Sequence, residues 1–591
     1  GRSDDTRNCA SDAFRSRRAG LLLSVSALSL MVGVVPGGVA WAQCIPSTQT
    51  ITGPSGQVLT NGGSIVITST GQISPVSGAG VYADTCDATS VNNQGTILGT
   101  SASSAIQANA GRTIGTLTNS GTIGTALTGI GNSGGTIDLL TNATGGAISG
   151  VQNGIANVIA PTTGAAAVIN TLSNSGNLSG ETYAIYNTGT VGSLSNSGTI
   201  SGTIYGVFNS RDNPTTSVHV GSIGTLTNNG SIVGQTALGN IGSVGTLSNN
   251  GVISGTSLGV ITIGSITALN NNAGGSIVGT AGPGLVNQGG IGTLGNAGSI
   301  SGASYGLVNT GSIGALTNSG TITGSQAAIL NAGVIGGGAT GISNTGTVGV
   351  LSNSGTISGT SNAISSNGIL GSIDNTGTIA GNISVSGQGL AVTGGSFGAF
   401  GTLTGGTMTV SGGNVAFAGG THLDDSINVG TGTVINGGTL QLAASHTIVG
   451  NYLQQSNALL DVQLSGAAFG DYGNLSITGI ATFAGTLAVD LINGATLSAG
   501  ETIDIANFLS ASGDFSGFAF DGASCAGVGT GGWRCAGLTV SEIWSGSQFA
   551  LRVTSVPEPA PFGVLAAGLT GLGMIRGLRP GYRSRVRQSP A

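Results

Sequence analysis

Ile291-Gly-Thr-Leu294-Gly-Asn296-Ala-Gly298-Ser-Ile300-Ser-Gly-Ala-Ser-Tyr305-Gly-Leu307-Val-Asn309-Thr-Gly311 is one copy of a phrase, [Leu/Ile]-x-Asn-x-Gly, that returns throughout the middle of the chain. Other copies are Leu172-Ser173-Asn174-Ser175-Gly176, Leu194-Ser195-Asn196-Ser197-Gly198 and Leu247-Ser248-Asn249-Asn250-Gly251. The steps Leu172→Leu194, Leu247→Leu269, Leu294→Leu316 and Leu351→Ile373 are 22 residues, and Leu226→Leu247 is 21. Such a period is that of one coil of a β-solenoid, whose coils bury their apolar faces by stacking. The fold expected is therefore all-β, a right-handed parallel β-helix with a β-rich C-terminal cap.

Each copy divides into three short β runs at corners holding glycine and asparagine, residues expected there because they tolerate positive φ. Leu294, Ile300 and Leu307 are expected to point inward and stack on their counterparts in the next coil. Asn174, Asn196, Asn228, Asn249, Asn296, Asn318, Asn353 and Asn375 are expected to form one ladder of side-chain amides along the rod. Repeats running over 91–393, at about 22 residues a coil, make about thirteen coils.

Composition supports a stacked sheet. Only 6% of residues are charged and 4% aromatic, while glycine supplies 113 of 591, which argues against an ordinary packed globule. A mean hydropathy of +0.33 also argues against disorder, which is kept open by charge and low hydrophobicity. The formal charge of −6, with no Lys/Arg run outside the termini, excludes binding to a phosphate backbone.

Arg15-Ser16-Arg17-Arg18, an apolar run from Leu21 to Val35 and the small-x-small Ala40-Trp41-Ala42 make a secretory signal over 1–42, helical and cut between Ala42 and Gln43. The mature protein is then expected to start near Gln43, Gly1 being a misread start or the end of a fragment. Four cysteines survive cleavage. Cys44 with Cys86 and Cys525 with Cys535 are the candidate disulfides of an exported chain, sequence alone leaving three pairings open. Residues 43–90 are read as an N-terminal cap, and 394–555 as an irregular solenoid passing into the C-terminal cap, from alternating runs such as Thr402–Val410 and bulkier ones such as Glu501–Phe508. The interval Leu194→Leu226 stretches to 32 residues around Ser210-Arg211-Asp212-Asn213-Pro214, which is read as a solvated loop outside the coil.

Val556-Pro557-Glu558-Pro559 opens the tail 556–591; a short apolar helix from Phe562 to Ile575 and then Arg576, Arg579, Arg583, Arg585 and Arg587 follow. Basic residues after an apolar segment mark a cytoplasmic side, so this segment is a short anchor halting export with the rod outside. The order resembles the PEP-CTERM sorting signal over about the last 35 residues. The resemblance implies recognition by an exosortase, a membrane transpeptidase-like enzyme, in a Gram-negative bacterium. It also implies an inner-membrane-anchored intermediate and later passage to the cell surface or exopolysaccharide matrix. The repeats are similar to the passenger regions of autotransporter and filamentous-haemagglutinin-type adhesins, although the passage from cap to tail leaves no stretch for a membrane barrel.

The function expected is that of a surface or extracellular-matrix protein, structural or adhesin-like, touching exopolysaccharide or cell-surface glycans and associating with itself, with no cofactor, metal or nucleic acid. An enzyme is not expected. The repeats offer only the isolated Arg112, Asp138, Glu181, Arg211, Asp212 and Asp374, and Asp424-Asp425 is read as a surface turn. The alternatives are a polysaccharide-degrading β-helix and an ice-binding solenoid, the latter from Gly-Thr-Leu-Thr at 115–118 and 224–227, a row broken at Ser248 and Ala315.

Overall fold

The computed structural model describes residues 44–555, apart from 125, 211–220, 337, 397 and 536. The expected signal helix, the apolar tail helix and the Arg211–Pro214 part of the insertion lie outside the described residues. Those described contain strands, turns and bends and no helix, and they wind into a parallel β-solenoid of about eighteen turns. At about 4.8 Å per turn the stack is roughly 85 Å long.

One turn comprises Gly290–Asn296, Ser299–Gly302 and Tyr305–Asn309. Each strand pairs in parallel with the segment 22 residues on: Ser312–Asn318, Thr321–Gly324 and Ala327–Asn331. Leu294, Ile300 and Leu307 are buried, as the phrase predicted. Register aligns Leu172, Leu194, Leu226, Leu247, Leu269, Leu294 and Leu316 in one internal column. Each such leucine contributes about 1.5–3 kcal/mol by leaving water, so the core is a pile of nearly equal layers.

The asparagines form two ladders, not one. The first runs from Asn93 through Asn119, Asn142, Asn174, Asn196, Asn228, Asn249, Asn271, Asn296 and Asn318 to Asn344. The second holds Asn132, Asn157, Asn187, Asn209 and Asn240, and, beyond Thr262, Asn287, Asn309, Asn331, Asn353 and Asn375. Every rung is buried. Asn174 shows the pattern: its Nδ2 donates to Asn196 Oδ1 at 2.8 Å, to Thr199 O at 3.0 Å and to Gly176 O at 3.3 Å. The amide therefore ties its own corner to the next turn and leaves no donor idle.

Asn353 and Asn375 sit on the second ladder because the chain makes two long arms in succession. In most earlier turns the short arm (Ile313, Leu316, Asn318) precedes the long one (Ile322, Ile329, Asn331). The next arm, Ile335 to Asn344, is long as well and pairs with the short arm of the turn before. The phrase then resumes at Leu351-Ser352-Asn353 on the opposite side, paired with Ile329-Leu330-Asn331. Both arms end in apolar-x-Asn-x-Gly, so the exchange keeps both ladders and the core continuous.

The repeat glycines are required for a different reason from the one expected. Gly198, Gly230 and Gly251 do not have positive φ. A Cβ on any of them would overlap the carbonyl oxygen of the corner glycine one turn earlier, Gly176, Gly198 and Gly230 respectively. Close approach of stacked backbones selects glycine there.

Coiling extends beyond the repeats in both directions. Gln49–Ile51 pairs with Ser64–Ile67, and that strand with Ala88–Asn93, so the expected N-terminal cap over 43–90 is built of the same parallel ladder, with Ile65, Ile67, Ile73 and Val81 continuing the core. Cys44–Cys86 clamps this end. At the other end parallel pairing continues to Gly517–Phe520. Closure comes from antiparallel strands: Gln548–Ser555 lies against Thr502–Asn507 and Leu538–Trp544. Phe483, Phe508, Phe515, Trp544 and Phe549 form an aromatic cluster with centroid separations from 4.2 to 6.4 Å. Bulky rings and reversed strands cover Thr502–Asn507 and Gly517–Phe520, and the four-residue strand Ser510–Gly513 is left as a short exposed edge.

Candidate functional site

Each coil turns its inward residues to a dry core, so any functional group must sit on the outward rows. Most of these rows carry serine, threonine, glycine and asparagine. The row preceding the inward leucine reads Thr116, Leu139, Thr171, Ser193, Thr225, Thr246, Ala268, Thr293, Ala315. Leu139, Ala268 and Ala315 interrupt it as a threonine array.

One part of the exterior differs. Register places Ser104, Thr128, Asn153, Tyr183 and Tyr205 in one row, and Gln107, Gly131, Ala156, Tyr186 and Phe208 in the next. The four rings are half-buried and lie nearly parallel. Tyr205 and Phe208 have centroids 4.4 Å apart at 22°, Tyr183 and Phe208 5.4 Å apart at 10°, and Tyr183 and Tyr186 5.2 Å apart at 28°. Over the small residues Gly131 and Ala156 lies a groove of about 440 Å³, walled by Ser104 and Gln107 on one side and by Tyr183 and Tyr186 on the other. A shallower trough of about 460 Å³ crosses Gly150, Gly180 and Gly202 and is lined also by Glu181.

The sequence pointed to neither. Alternation with period two would put Tyr183 and Tyr186 on opposite faces. At this corner Ala184 and Ile185 are both buried, so both tyrosines emerge on the outside. The signal present was the recurrence of Tyr-x-x-Tyr/Phe-Asn at 183–187 and 205–209 in a chain with few aromatic residues.

A second polar group lies in the C-terminal coils. Asp424-Asp425 is not a surface turn: both belong to the strand Gly420–Asn436, and Asp425 faces inward between Leu423 and Ile427. Its Oδ1 accepts from the Gly406 amide at 2.7 Å, while Oδ2 has no hydrogen-bond partner. Burial pushes its pKa up to about 6. Burial also pushes Asp461 up and His446 down. His422, with Nδ1 protonated, donates to Gln441 Oε1 at 2.9 Å, and Gln441 Nε2 donates to Asp461 Oδ2 at 2.8 Å. His446 Nε2 lies 3.9 Å from Asp424 Oδ1. The amide of Gln441 separates His422 from Asp461, so this row anchors side chains across turns and does not relay protons. Among the described residues no three or more His, Cys, Asp or Glu are grouped to hold a metal ion.

Both expected cysteine pairs are disulfides, with Cα separations of 5.8 Å for Cys44–Cys86 and 4.4 Å for Cys525–Cys535. Arg112 reaches across one turn to Asp87 at 3.8 Å and to Thr85 O at 3.0 Å, and Asn170 donates to Asp138 at 2.8 Å, so these repeat charges serve local contacts. Ser210 and Gly221, which flank the insertion, are joined by a backbone hydrogen bond of 2.7 Å, and the coil resumes without a break in register. Ala42, Gln43, Val556, Pro557, Glu558, Pro559, Arg576, Arg579, Arg583, Arg585 and Arg587 lie outside the described residues. No protein-family model matches this chain, and no curated protein matches it significantly.

Proposed function

We propose that this chain is an exported rod acting at the cell surface or in the extracellular matrix of a Gram-negative bacterium, as a structural or adhesin-like protein. It is carried there by the signal ending at Ala42 and sorted by an exosortase-type enzyme acting on Val556–Pro559, after transient anchoring by the apolar segment and its arginines. The observation that carries this reading is the pairing of an export signal and a sorting-type tail around a charge-poor repeat. Two disulfides support it, since such bonds persist in oxidising compartments. A stack of coils exposes long outward rows and few reactive groups, which suits work done by extended surface contact with matrix or cell-surface glycans, or with other rods.

The test is fractionation of cells producing the full chain or a chain lacking residues 556–591. The full chain is expected at the surface or in the matrix, and the tail-less one mainly in the medium. Full-length protein retained in the cytoplasm with free thiols would overturn the reading.

A further inference from the structure

We propose that Asn493 is a self-modifying site, whose side-chain amide the chain converts to a carboxylate through a succinimide formed with the Gly494 nitrogen. Water is the only reagent, so the reaction is independent of where the rod acts. It has three local requirements. The amide of the following residue must be unengaged, the asparagine side chain must be free to swing over it, and the backbone between them must be able to rotate. Glycine after asparagine meets the steric part, since it has no Cβ to shield its nitrogen. The chain holds seven Asn-Gly pairs, at 61–62, 153–154, 229–230, 250–251, 367–368, 436–437 and 493–494.

The coil withholds these requirements from the first six. Five of their glycine amides donate to a carbonyl of an adjoining turn: Gly62 to Asp87 at 2.9 Å, Gly230 to Asn196 at 3.1 Å, Gly251 to Asn228 at 3.0 Å, Gly368 to Asn344 at 3.2 Å and Gly437 to Phe417 at 2.9 Å. Side chains are pinned as well. Asn61 Nδ2 donates to Ser47 Oγ and Asn250 Nδ2 to Asn229 Oδ1, both at 2.7 Å, while Asn436 is buried and donates to Gln454 Oε1 at 2.9 Å. The remaining pair opens the strand Asn153–Val158, where Asn153 is buried and its Nδ2 donates to Thr128 Oγ1 at 3.3 Å. Each of these pairs reacts only when its stretch of coil opens.

Asn493-Gly494 stands outside that restraint. It forms the middle of a turn closed by the Ala495 amide donating to Ile492 O at 3.0 Å, with Asn493 at φ +55° and Gly494 at φ +74°. Two positive φ values in succession come at low cost to asparagine and glycine, so the turn itself selects the dipeptide most open to cyclisation. Asn493 is exposed, and neither its side chain nor the Gly494 amide has a hydrogen-bond partner among the described residues. Beyond its chain neighbours, none of those residues has a heavy atom within 4 Å of where Gly494 would carry a Cβ. In the step itself the Gly494 nitrogen bonds to Asn493 Cγ, the Cγ–Nδ2 bond breaks, and the displaced nitrogen leaves as ammonia with the amide proton. Water then opens either carbonyl of the ring, giving aspartate or isoaspartate. The turn joins the strands Thr486–Leu491 and Thr502–Asn507, so the extra main-chain methylene of isoaspartate disturbs no rung of either ladder.

The test is peptide mapping by mass spectrometry of the purified full chain held at mildly alkaline pH, where the attacking amide gives up its proton more readily. Labelling with an isoaspartyl methyltransferase identifies the product. Asn493 is expected to convert about tenfold or more faster than any other pair, the suppression that even a modest cost of local opening imposes on the six. The same chain unfolded in urea should convert all seven at similar rates. Asn493→Gln should abolish the labelled product of the folded chain, while Asn367→Gln, at an exposed corner of the coil, should leave it unchanged. Even conversion across the seven pairs of the folded chain, or faster conversion at another pair, would overturn the proposal. So would an Asn493 that stays intact while the unfolded chain reacts. Six pairs that remained slow after unfolding would also overturn it, because local sequence and not the coil would then set the order.

Discussion

Asparagine at the corner of each arm has two donors and an acceptor to place in a water-free position, and stacking identical corners satisfies all three. The two ladders show what happens when a rung changes. Asn240 donates to Thr262 Oγ1 at 3.0 Å, but the threonine hydroxyl does not reach on to the next turn, and Asn287 Oδ1 is left without a partner. Thr262→Asn should close that gap and stabilise the rod by about 1 kcal/mol, the net worth of a buried hydrogen bond. Slower hydrogen exchange of amides around 262–287 would check it, and faster exchange there would refute the ladder as a source of stability. The neighbouring glycines are equally constrained, by the carbonyl one turn below. Sequence made the asparagine column visible through its spacing. It could not reveal that Asn318 and Asn353, alike in their local phrase, stand on different ladders.

At the scale of the strand, the 17-residue segment Gly420–Asn436 decides the fate of two adjacent aspartates. Its partner carries Gly405 at φ +78° with a register shift between Thr404 and Thr407, and the part-buried amide of Gly406 meets Asp425 there. Strict alternation through Thr421, Leu423, Asp425 and Ile427 puts Asp424 outside and Asp425 inside. The alternation was legible, but an adjacent acidic pair in a glycine-rich chain reads as a turn. The buried carboxyl has consequences for stability. Its pKa in the folded state, about 6, lies above the unfolded value near 4, so the native state holds the proton more tightly. Stability contributed by this site is full below about pH 4 and falls as pH rises to about 6. Asp461 pulls the same way, while His446, lowered by burial, opposes them by favouring the native state as pH rises through its titration. Asp425→Asn keeps the acceptor for Gly406 and cannot ionise. It should raise stability at pH 7 by about 1–2 kcal/mol and flatten this part of the pH dependence. Urea unfolding at pH 4.5 and 7 checks this; an unchanged slope would count against it.

For the whole molecule, nearest-neighbour stacking means that length is adjustable in units of a turn. Ser222 and Ser243 occupy the same register position, so deleting 222–242 joins Gly221 to Ser243 with both ladders intact. This variant is expected to fold with a melting temperature within about 5 °C of the parent, since each coil contacts only its neighbours. Deleting 222–232 instead removes one arm and brings the fragment after it into the wrong register; loss of cooperative melting by circular dichroism is expected for that variant alone. Equal behaviour of the two would contradict a core built of equivalent layers.

The repeat period, low charge and apolar spacing determined the coil by themselves, because a local phrase that cannot bury its face alone has no other stable use than to stack on its copies. They also determined that Leu294, Ile300 and Leu307 point inward. Only the tertiary structure decided which asparagine stands above which, since two long arms in succession shift the phrase by half a turn at no local cost. It alone also brought Tyr183, Tyr186, Tyr205 and Phe208 onto one face, because consecutive buried residues at a corner break the two-residue alternation from which facing is read.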